Sequence, residues 1–357
     1  MNKSIVFLLP AGSSKPSGGF KVAFEYANRL ASDGYKVSIV YPNSLFLSTT
    51  HLKTKIRALI RYIYYIITRK YKADQWFALD KKIEQLYVWD LSENLVPQAD
   101  IYVATAVKTA GYLQEYKRQS KKLYLIQSFE DWSWDKEKVI STYHAPFQKI
   151  VIAGWLMKIM EENNETATLI QNGFDFDYFQ KQIDYKDKNK LIITMLYHKS
   201  LLKGCEDGFR AFDIIKAKYP ELLVNLFGVP SRPKFLPEWY RYYKQPCKEI
   251  HNKIYNEAAI FVGPSHIEGF CLTPPEAMQC GCAVACTDIG GYRDVCIDNE
   301  TALLSPPKDW KALAHNIIRL IEDDALRYRI AKNGHEYIQN FTWERAYNKF
   351  RELIVQQ

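Results

Sequence analysis

Short apolar runs alternate with helical spacing along nearly the whole chain, the pattern of β-α-β units and parallel sheets. In the first half, residues 5–9, 37–41, 86–88, 101–105, 123–127 and 150–153 predict strands. Between the first two, Val22, Tyr26 and Leu30 recur at every fourth position and predict a helix. A charged stretch without apolar periodicity, 181–190, reads as a linker. The alternation then restarts with a strand over 191–196, a helix over 206–218 and strands over 222–227 and 258–262. The expected class is α/β, with two Rossmann-like domains at 1–180 and 191–340. A last helix follows over 341–357, with Thr342 as its N-cap and Arg345 rather than Glu at the capping-box position.

The densest chemistry follows the strand at 258–262. Glu268 and Glu276 stand eight positions apart across a Gly-Phe-Cys-Leu loop and a Pro-Pro step. Pro fits a first helical turn, so Glu268 is expected on the loop at the strand's carboxyl end and Glu276 at the start of a helix. Open α/β sheets bind ligands at that end. Two carboxylates there, beside unpaired amides of a helix start, suit a ligand with both hydroxyls and phosphates. Either Glu alone reads as a solvated residue that the helix dipole would favour anyway. Their spacing, the Ser-x-x-Glu-Gly-Phe context and the Glu-Ala-Met helix start favour a site.

This segment resembles the Glu-x7-Glu signature of retaining GT-B glycosyltransferases of family 4, the glycosyl transferases group 1. The resemblance is close over 190–345, looser over 1–180, and includes rhamnosyltransferase-like members. It implies a GT-B fold, two Rossmann-like domains facing a cleft, with the closing helix returning to the first domain. The chain would then cross between domains twice, near 180–190 and 335–345. The resemblance assigns the donor sugar to Glu268 and the backbone after it, Gly269, Phe270, Cys271 and Leu272. It assigns the donor's ribose to Glu276. It also expects an Arg and, five positions on, a Lys-Gly that clamp the diphosphate. Lys203 and Gly204 match, whereas the Arg position holds His198, followed by Lys199. Lysine is a point charge without the arginine fork, so His198 or Lys199 is an imperfect substitute.

Other constellations are weaker. The loop 12–19 opens the first helix but is not G-x-G-x-x-G, so the dinucleotide fingerprint fails. Gly18 and Gly19 still permit close backbone approach, and the resemblance places them by the acceptor and the donor's distal phosphate. The alternative is a tight turn. Past the strand at 123–127, Glu130 and Asp131 are candidates for acceptor binding or base work. Trp132 and Trp134 are candidates for stacking on sugar faces, or else these residues form a capped helix start with core tryptophans. Asp175-Phe-Asp177 is a D-x-D triplet, but Asn172-Gly173 reads as a turn and Asp175 as its cap, so no metal or other cofactor is expected. The family's first-domain His has no counterpart in residues 104–110, His144 reads as structural, and the catalytic base stays unassigned.

Composition and charge add three limits. With 357 residues and 47% hydrophobic content the chain is long enough for two domains of about 150 residues each. No apolar run approaches the roughly 18 residues of a spanning helix, and the N-terminus reads as a strand rather than a signal peptide. Seven cysteines without a C-x-x-C pair suggest reduced thiols and a cytoplasmic protein. The net charge of +8 is concentrated at 51–72, where Lys53, Lys55, Arg57, Arg61, Arg69, Lys70 and Lys72 meet no Asp or Glu. Leu52, Ile56, Leu59, Ile63 and Ile66 share one helical face there. The segment reads either as a membrane-surface helix at the inner face of the cell membrane or as a domain helix packed on the core by its apolar face. No zinc-ligand spacing, RNP-like run or basic zipper supports a nucleic-acid partner.

The resulting expectation is transfer of a hexose, with retention, from a nucleotide diphosphate sugar to a saccharide or lipid-linked saccharide. The setting would be surface polysaccharide assembly. A sugar-nucleotide epimerase or phosphorylase of the same architecture, or a noncatalytic sugar-nucleotide-binding subunit, are the alternatives.

Overall fold

The computed structural model describes residues 3–12, 14–46 and 52–356. Ser13 of the glycine-rich loop and His51 at the head of the basic segment lie outside them. The chain divides into two compact units, Met1–Asn172 with Glu344–Gln357, and Gly173–Trp343.

Unit 1 runs β1 (Ser4–Leu8), α1 (Gly18–Ser32), β2 (Lys36–Pro42), α2 (Leu52–Thr68), β3 (Glu84–Val88), β4 (Ile101–Ala104), α3 (Val107–Gln114), β5 (Lys121–Ile126), α4 (Lys136–Tyr143), β6 (Gln148–Val151), α5 (Gly154–Glu162) and β7 (Thr168–Leu169). Its sheet is parallel throughout, in the order β3-β2-β1-β4-β5-β6-β7. Phe7 lies in register with Ile39 on one side and Val103 on the other, and none of the three is exposed. Strands of a covered parallel sheet are buried on both faces, so they read as apolar runs rather than alternating ones.

Unit 2 runs β8 (Ile192–Leu196), α6 (Cys205–Lys218), β9 (Leu223–Gly228), β10 (Tyr240–Lys244), α7 (Lys248–Glu257), β11 (Ile260–Gly263), α8 (Thr273–Gln279), β12 (Ala283–Thr287), α9 (Gly290–Arg293), β13 (Leu303–Ser305), α10 (Trp310–Glu322) and α11 (Asp324–Ile338). Its sheet is also parallel, in the order β10-β9-β8-β11-β12-β13. The closing helix α12 (Trp343–Val355) packs into unit 1, where buried Phe350 stacks on Tyr26 with ring centroids 4.3 Å apart. Tyr347 donates to Asp33 over 2.6 Å in the same place.

The crossings between units fall at 172–173 and 343–344, so the first lies ahead of the stretch read as a linker. Residues 181–190 belong to unit 2 instead. The amides of Gln182 and Ile183 donate to Asn256 on α7. Lys188 is buried, its ammonium donating to the carbonyls of Tyr255, Ala258 and Cys280 at 2.9, 3.0 and 2.7 Å. Charge and the lack of apolar periodicity suggested a linker, but this lysine ties the ends of α7 and α8 together. Lys188→Met should lower stability by about 3 kcal/mol, because three buried carbonyls lose their ammonium donor and only the weak Cys282 thiol is left to two of them. Urea unfolding measures this, and a change within about 0.5 kcal/mol would contradict the role.

The basic helix is held by the face opposite its apolar stripe. Ala58 is its one buried residue, Tyr62 stacks on Tyr87 at 5.6 Å, and Tyr65 meets the edge of the same ring at 5.5 Å. Arg61, one of the cations counted in the basic segment, donates from Nε to the Asn43 side chain at 2.9 Å. The apolar residues that would have packed on the core are exposed instead. All seven cysteines are free, six of them buried.

Candidate functional site

In each sheet the strand order reverses direction at one place, between β1 and β4 in unit 1 and between β8 and β11 in unit 2. Loops leaving such a switch point at the carboxyl ends of the strands diverge and leave room for a ligand. In unit 2 the loop after β8 carries His198, Lys199 and Lys203, and the loop after β11 carries Ser265 and Glu268.

These loops are joined at the site. The His266 amide donates to the Leu202 carbonyl at 2.8 Å, and the His266 imidazole pairs with Asp207 of α6 at 2.5 Å. Gly204 ends the turn at φ +59°, where a Cβ would stand 1.9 Å from the Pro264 carbonyl oxygen. Only glycine allows the β8 loop to close so tightly against the β11 loop. Lys203 is thereby brought to Glu268, its ammonium 2.6 and 2.7 Å from the two carboxylate oxygens. Ser265 adds a third bond to Glu268 at 2.8 Å. Gly291, at the start of α9, leaves room for this loop, since a Cβ there would stand 2.4 Å from the Glu268 carbonyl oxygen.

Glu276 lies in the first turn of α8, half-buried, and accepts from the Tyr255 hydroxyl at 3.2 Å. Burial, and then the Glu276 carboxylate, hold the Tyr255 phenol far above its ordinary pKa. The start of α8 offers fewer amides than its sequence suggested. Pro274 and Pro275 have no N–H, and the Glu276 amide donates to the Leu272 carbonyl at 3.2 Å. Gly269 and Leu272 are half-buried, whereas the Phe270 ring is buried against Phe174 at 6.0 Å and the Cys271 thiol is buried. The Cys271 amide is taken by the Gly291 carbonyl at 3.0 Å.

His198 and Lys199 are both exposed. The His198 Nδ1 accepts the Ser200 amide at 3.0 Å, so its neutral form carries the proton on Nε2. Partial burial and the Lys203 ammonium hold its pKa below the ordinary value, so at neutral pH it offers an N–H rather than a charge. Lys199 is the neighbouring cation that remains to face an anion.

In unit 1, Gly18 and Gly19 open α1 after β1, and Gly19 lies against the Gln127 amide. Glu130 accepts the amide of Val107, the first residue of α3, at 3.2 Å. Burial pushes the Glu130 carboxyl up to about 7, against the opposing pull of that amide and of Lys108. Asp131 is exposed and Trp132 is 56% exposed. Trp134 instead packs on Phe46 at 4.9 Å and on the Cα side of Gly111, where a Cβ would come within 2.8 Å of the indole. His144 pairs with Glu165 at the surface. Asp175 accepts the Tyr178 amide at 2.9 Å as a turn cap, and Asp177 is exposed. Among the described residues no group of three His, Cys, Asp or Glu side chains is placed to hold a metal ion.

Ser265 entered the sequence reading only as part of the Ser-x-x-Glu-Gly-Phe context, and Asp207, His266 and Tyr255 were not singled out. Ser265 had a signal in the Ser-x-x-Glu spacing, while Asp207 and His266 stand 59 positions apart with none.

Residues 177–337 match the family model described as glycosyl transferases group 1. The chain is 28% identical over 245 residues to the capsular polysaccharide biosynthesis glycosyltransferase CapM of Staphylococcus aureus, covering 60% of this chain and 59% of that protein. It is 28% identical over 188 residues to a Campylobacter jejuni N,N'-diacetylbacillosaminyl-diphospho-undecaprenol alpha-1,3-N-acetylgalactosaminyltransferase, covering 49% of each. The matches thus span less than two thirds of these relatives. The structure of Anabaena HepE in complex with UDP-glucose superposes with a TM-score of 0.73 at 14% identity, over 99% of both chains. Residues 177–337 thus resemble the glycosyl transferases group 1, and the fold of the chain is GT-B.

Proposed function

We propose that this protein transfers a hexose from a nucleotide diphosphate sugar to a hydroxyl of a saccharide or lipid-linked saccharide, with retention at the anomeric carbon. The observation that carries the reading is the Lys203–Glu268–Ser265 cluster at the β8/β11 switch point, with Glu276 on the helix that follows. As the glycosidic bond breaks, negative charge grows on the diphosphate oxygens. Lys203, with Lys199 beside it, meets that charge, and fixed cations of this kind act mainly on the transition state. Glu268 positions a sugar hydroxyl while its pairing with Lys203 keeps both groups in place. Glu276 takes the ribose hydroxyls, and the backbone at 269–272 lies along the sugar. The Phe270 and Cys271 side chains serve as packing, not as ligands. UDP-sugars are the first donors to test, since HepE is described with UDP-glucose. A lipid-linked acceptor is in keeping with the diphospho-undecaprenol in the name of the Campylobacter jejuni relative, and on this reading the work is done at the cytoplasmic face of the cell membrane.

The test is incubation with a panel of nucleotide sugars and saccharide acceptors, followed by NMR of the product. The expected result is nucleoside diphosphate release that requires acceptor, a product of retained anomeric configuration, and turnover unaffected by EDTA. Turnover of donor without acceptor would overturn transfer in favour of epimerisation. Loss with EDTA and rescue by manganese would overturn metal independence and return attention to Asp175 and Asp177.

In unit 1, Glu130 is the carboxyl suited to bind the acceptor hydroxyl and accept its proton, because it titrates at about 7. The turnover rate should rise with pH through about 7, and that limb should vanish in Glu130→Gln. Stability should move the other way. A raised carboxyl pKa means the folded chain holds a proton that the unfolded chain has lost between the ordinary value of 4.5 and about 7. Glu130 therefore lowers stability as pH rises across that window. Melting curves of Glu130→Gln should be flatter there, and an unchanged rate limb would contradict the assignment.

A further inference from the structure

Helix α2 presents an apolar stripe to solvent. Leu52, Ile56, Leu59, Ile60, Ile63 and Ile67 are 70, 47, 49, 62, 48 and 75% exposed. At 100° per residue, Ile56, Ile63 and Ile67 lie roughly opposite Ala58, Tyr62 and Tyr65, the residues that hold the helix to unit 1. The stripe therefore faces outward because the other side is already occupied. Lys55 flanks it on one side, with Lys53 and Arg57 on the other, and Arg69, Lys70 and Lys72 follow its end. A stripe of this size is unusual on a free surface and marks a contact with something apolar.

We propose that α2 lies in the plane of an anionic lipid bilayer, its isoleucine stripe sunk to the acyl boundary and its flanking lysines and arginine among the headgroup phosphates. Charge identifies the occupant. Residues 51–72 carry seven cations and no acid, so a second copy of the same helix would set like charges against each other. An anionic leaflet instead places negative charge beside the cations and hydrocarbon beneath the stripe. Arg61 is excluded from the docking set because Asn43 holds it on the inner side. Among the described residues no helix is long and apolar enough to cross a membrane, so the attachment is to one leaflet and reversible.

The proposal is tested by sedimentation with vesicles of phosphatidylcholine alone and of phosphatidylcholine with phosphatidylglycerol. The parent chain should partition onto the second kind only, and added salt should release it. Lys53→Gln, Lys55→Gln and Arg57→Gln should each lower the partition coefficient about fivefold, and roughly a hundredfold together. Ile56→Ser, Ile63→Ser and Ile67→Ser together should lower it at least about tenfold, because the lost apolar area no longer enters the interface. Both sets are on the exposed face, so melting temperature and nucleoside diphosphate binding should stay at the parent's values. That control separates failure of this proposal from failure of the transferase reading. The proposal is overturned if the parent ignores phosphatidylglycerol vesicles at low salt or if the serine variant binds them like the parent. It is also overturned if the parent is a dimer that Ile63→Asp dissociates, which would make the stripe a contact between copies.

Discussion

Gly204→Ala is expected to destabilise unit 2 by about 4 kcal/mol or more, among the larger costs of one added methyl group. Backbone strain and a steric clash both contribute. The backbone stands at φ +59°, where a side chain costs about 1 kcal/mol. The clash costs more, since the new Cβ would stand 1.9 Å from the Pro264 carbonyl oxygen. That oxygen is backbone, with no flexible end to swing aside, so the β8 and β11 loops must separate. Their separation would also part Lys203 from Glu268, and the variant should lose activity at temperatures where it remains folded. Urea unfolding measures the first effect. A cost below about 1 kcal/mol would mean that these loops are not held as described.

Lys203→Ala should lower turnover by about 10²- to 10³-fold, the loss found when one preorganised charge or donor is removed from a transition state. Its effect on stability should be far smaller. The Lys203 and Glu268 side chains are 30 and 15% exposed, and an ion pair partly open to water is worth about 1 kcal/mol or less. Ser265 also remains to bond the carboxylate. Steady-state kinetics and melting curves on one preparation separate the two outcomes. An unchanged rate with a lowered melting temperature would make the pair a structural tie between loops.

Apolar patterning revealed most of the strands that lie in the sheet interiors. Residues 5–9, 37–41 and 123–127 match β1, β2 and β5 to within a residue or two, because strands covered on both faces tolerate little else. The strands it missed had no such signature. The run Tyr240-Arg-Tyr-Tyr-Lys244 is polar enough to pass for a loop because β10 is an edge strand with one neighbour. In β12, Ala283-Val-Ala-Cys-Thr287 is wholly buried but made of small residues, and it follows the acidic motif so closely that it read as part of it. The site was visible as residue types at suitable spacings. Its assembly was not, because Lys203 and Glu268 stand 65 positions apart and nothing local says that they pair. Periodicity likewise identified the apolar face of α2 but not its direction. That depended on Tyr62, Tyr65 and Arg61 finding partners on β3 and beyond β2. Lys188 misled for the converse reason, since a lysine in a charged stretch gives no sign of three carbonyls waiting for it.

We propose that the β8/β11 switch point of unit 2 holds a nucleoside diphosphate through Lys203 and Glu276. Titration calorimetry with uridine, guanosine, adenosine and thymidine diphosphates tests it without knowledge of the sugar or the acceptor. At least one of the four should bind the parent chain saturably. Glu276→Ala should weaken that binding by roughly 10- to 100-fold, the worth of a charge-assisted bond to the ribose. Lys203→Ala should weaken it through the diphosphate. If none of the four binds, or if both variants bind as the parent does, the nucleotide site is not at this switch point.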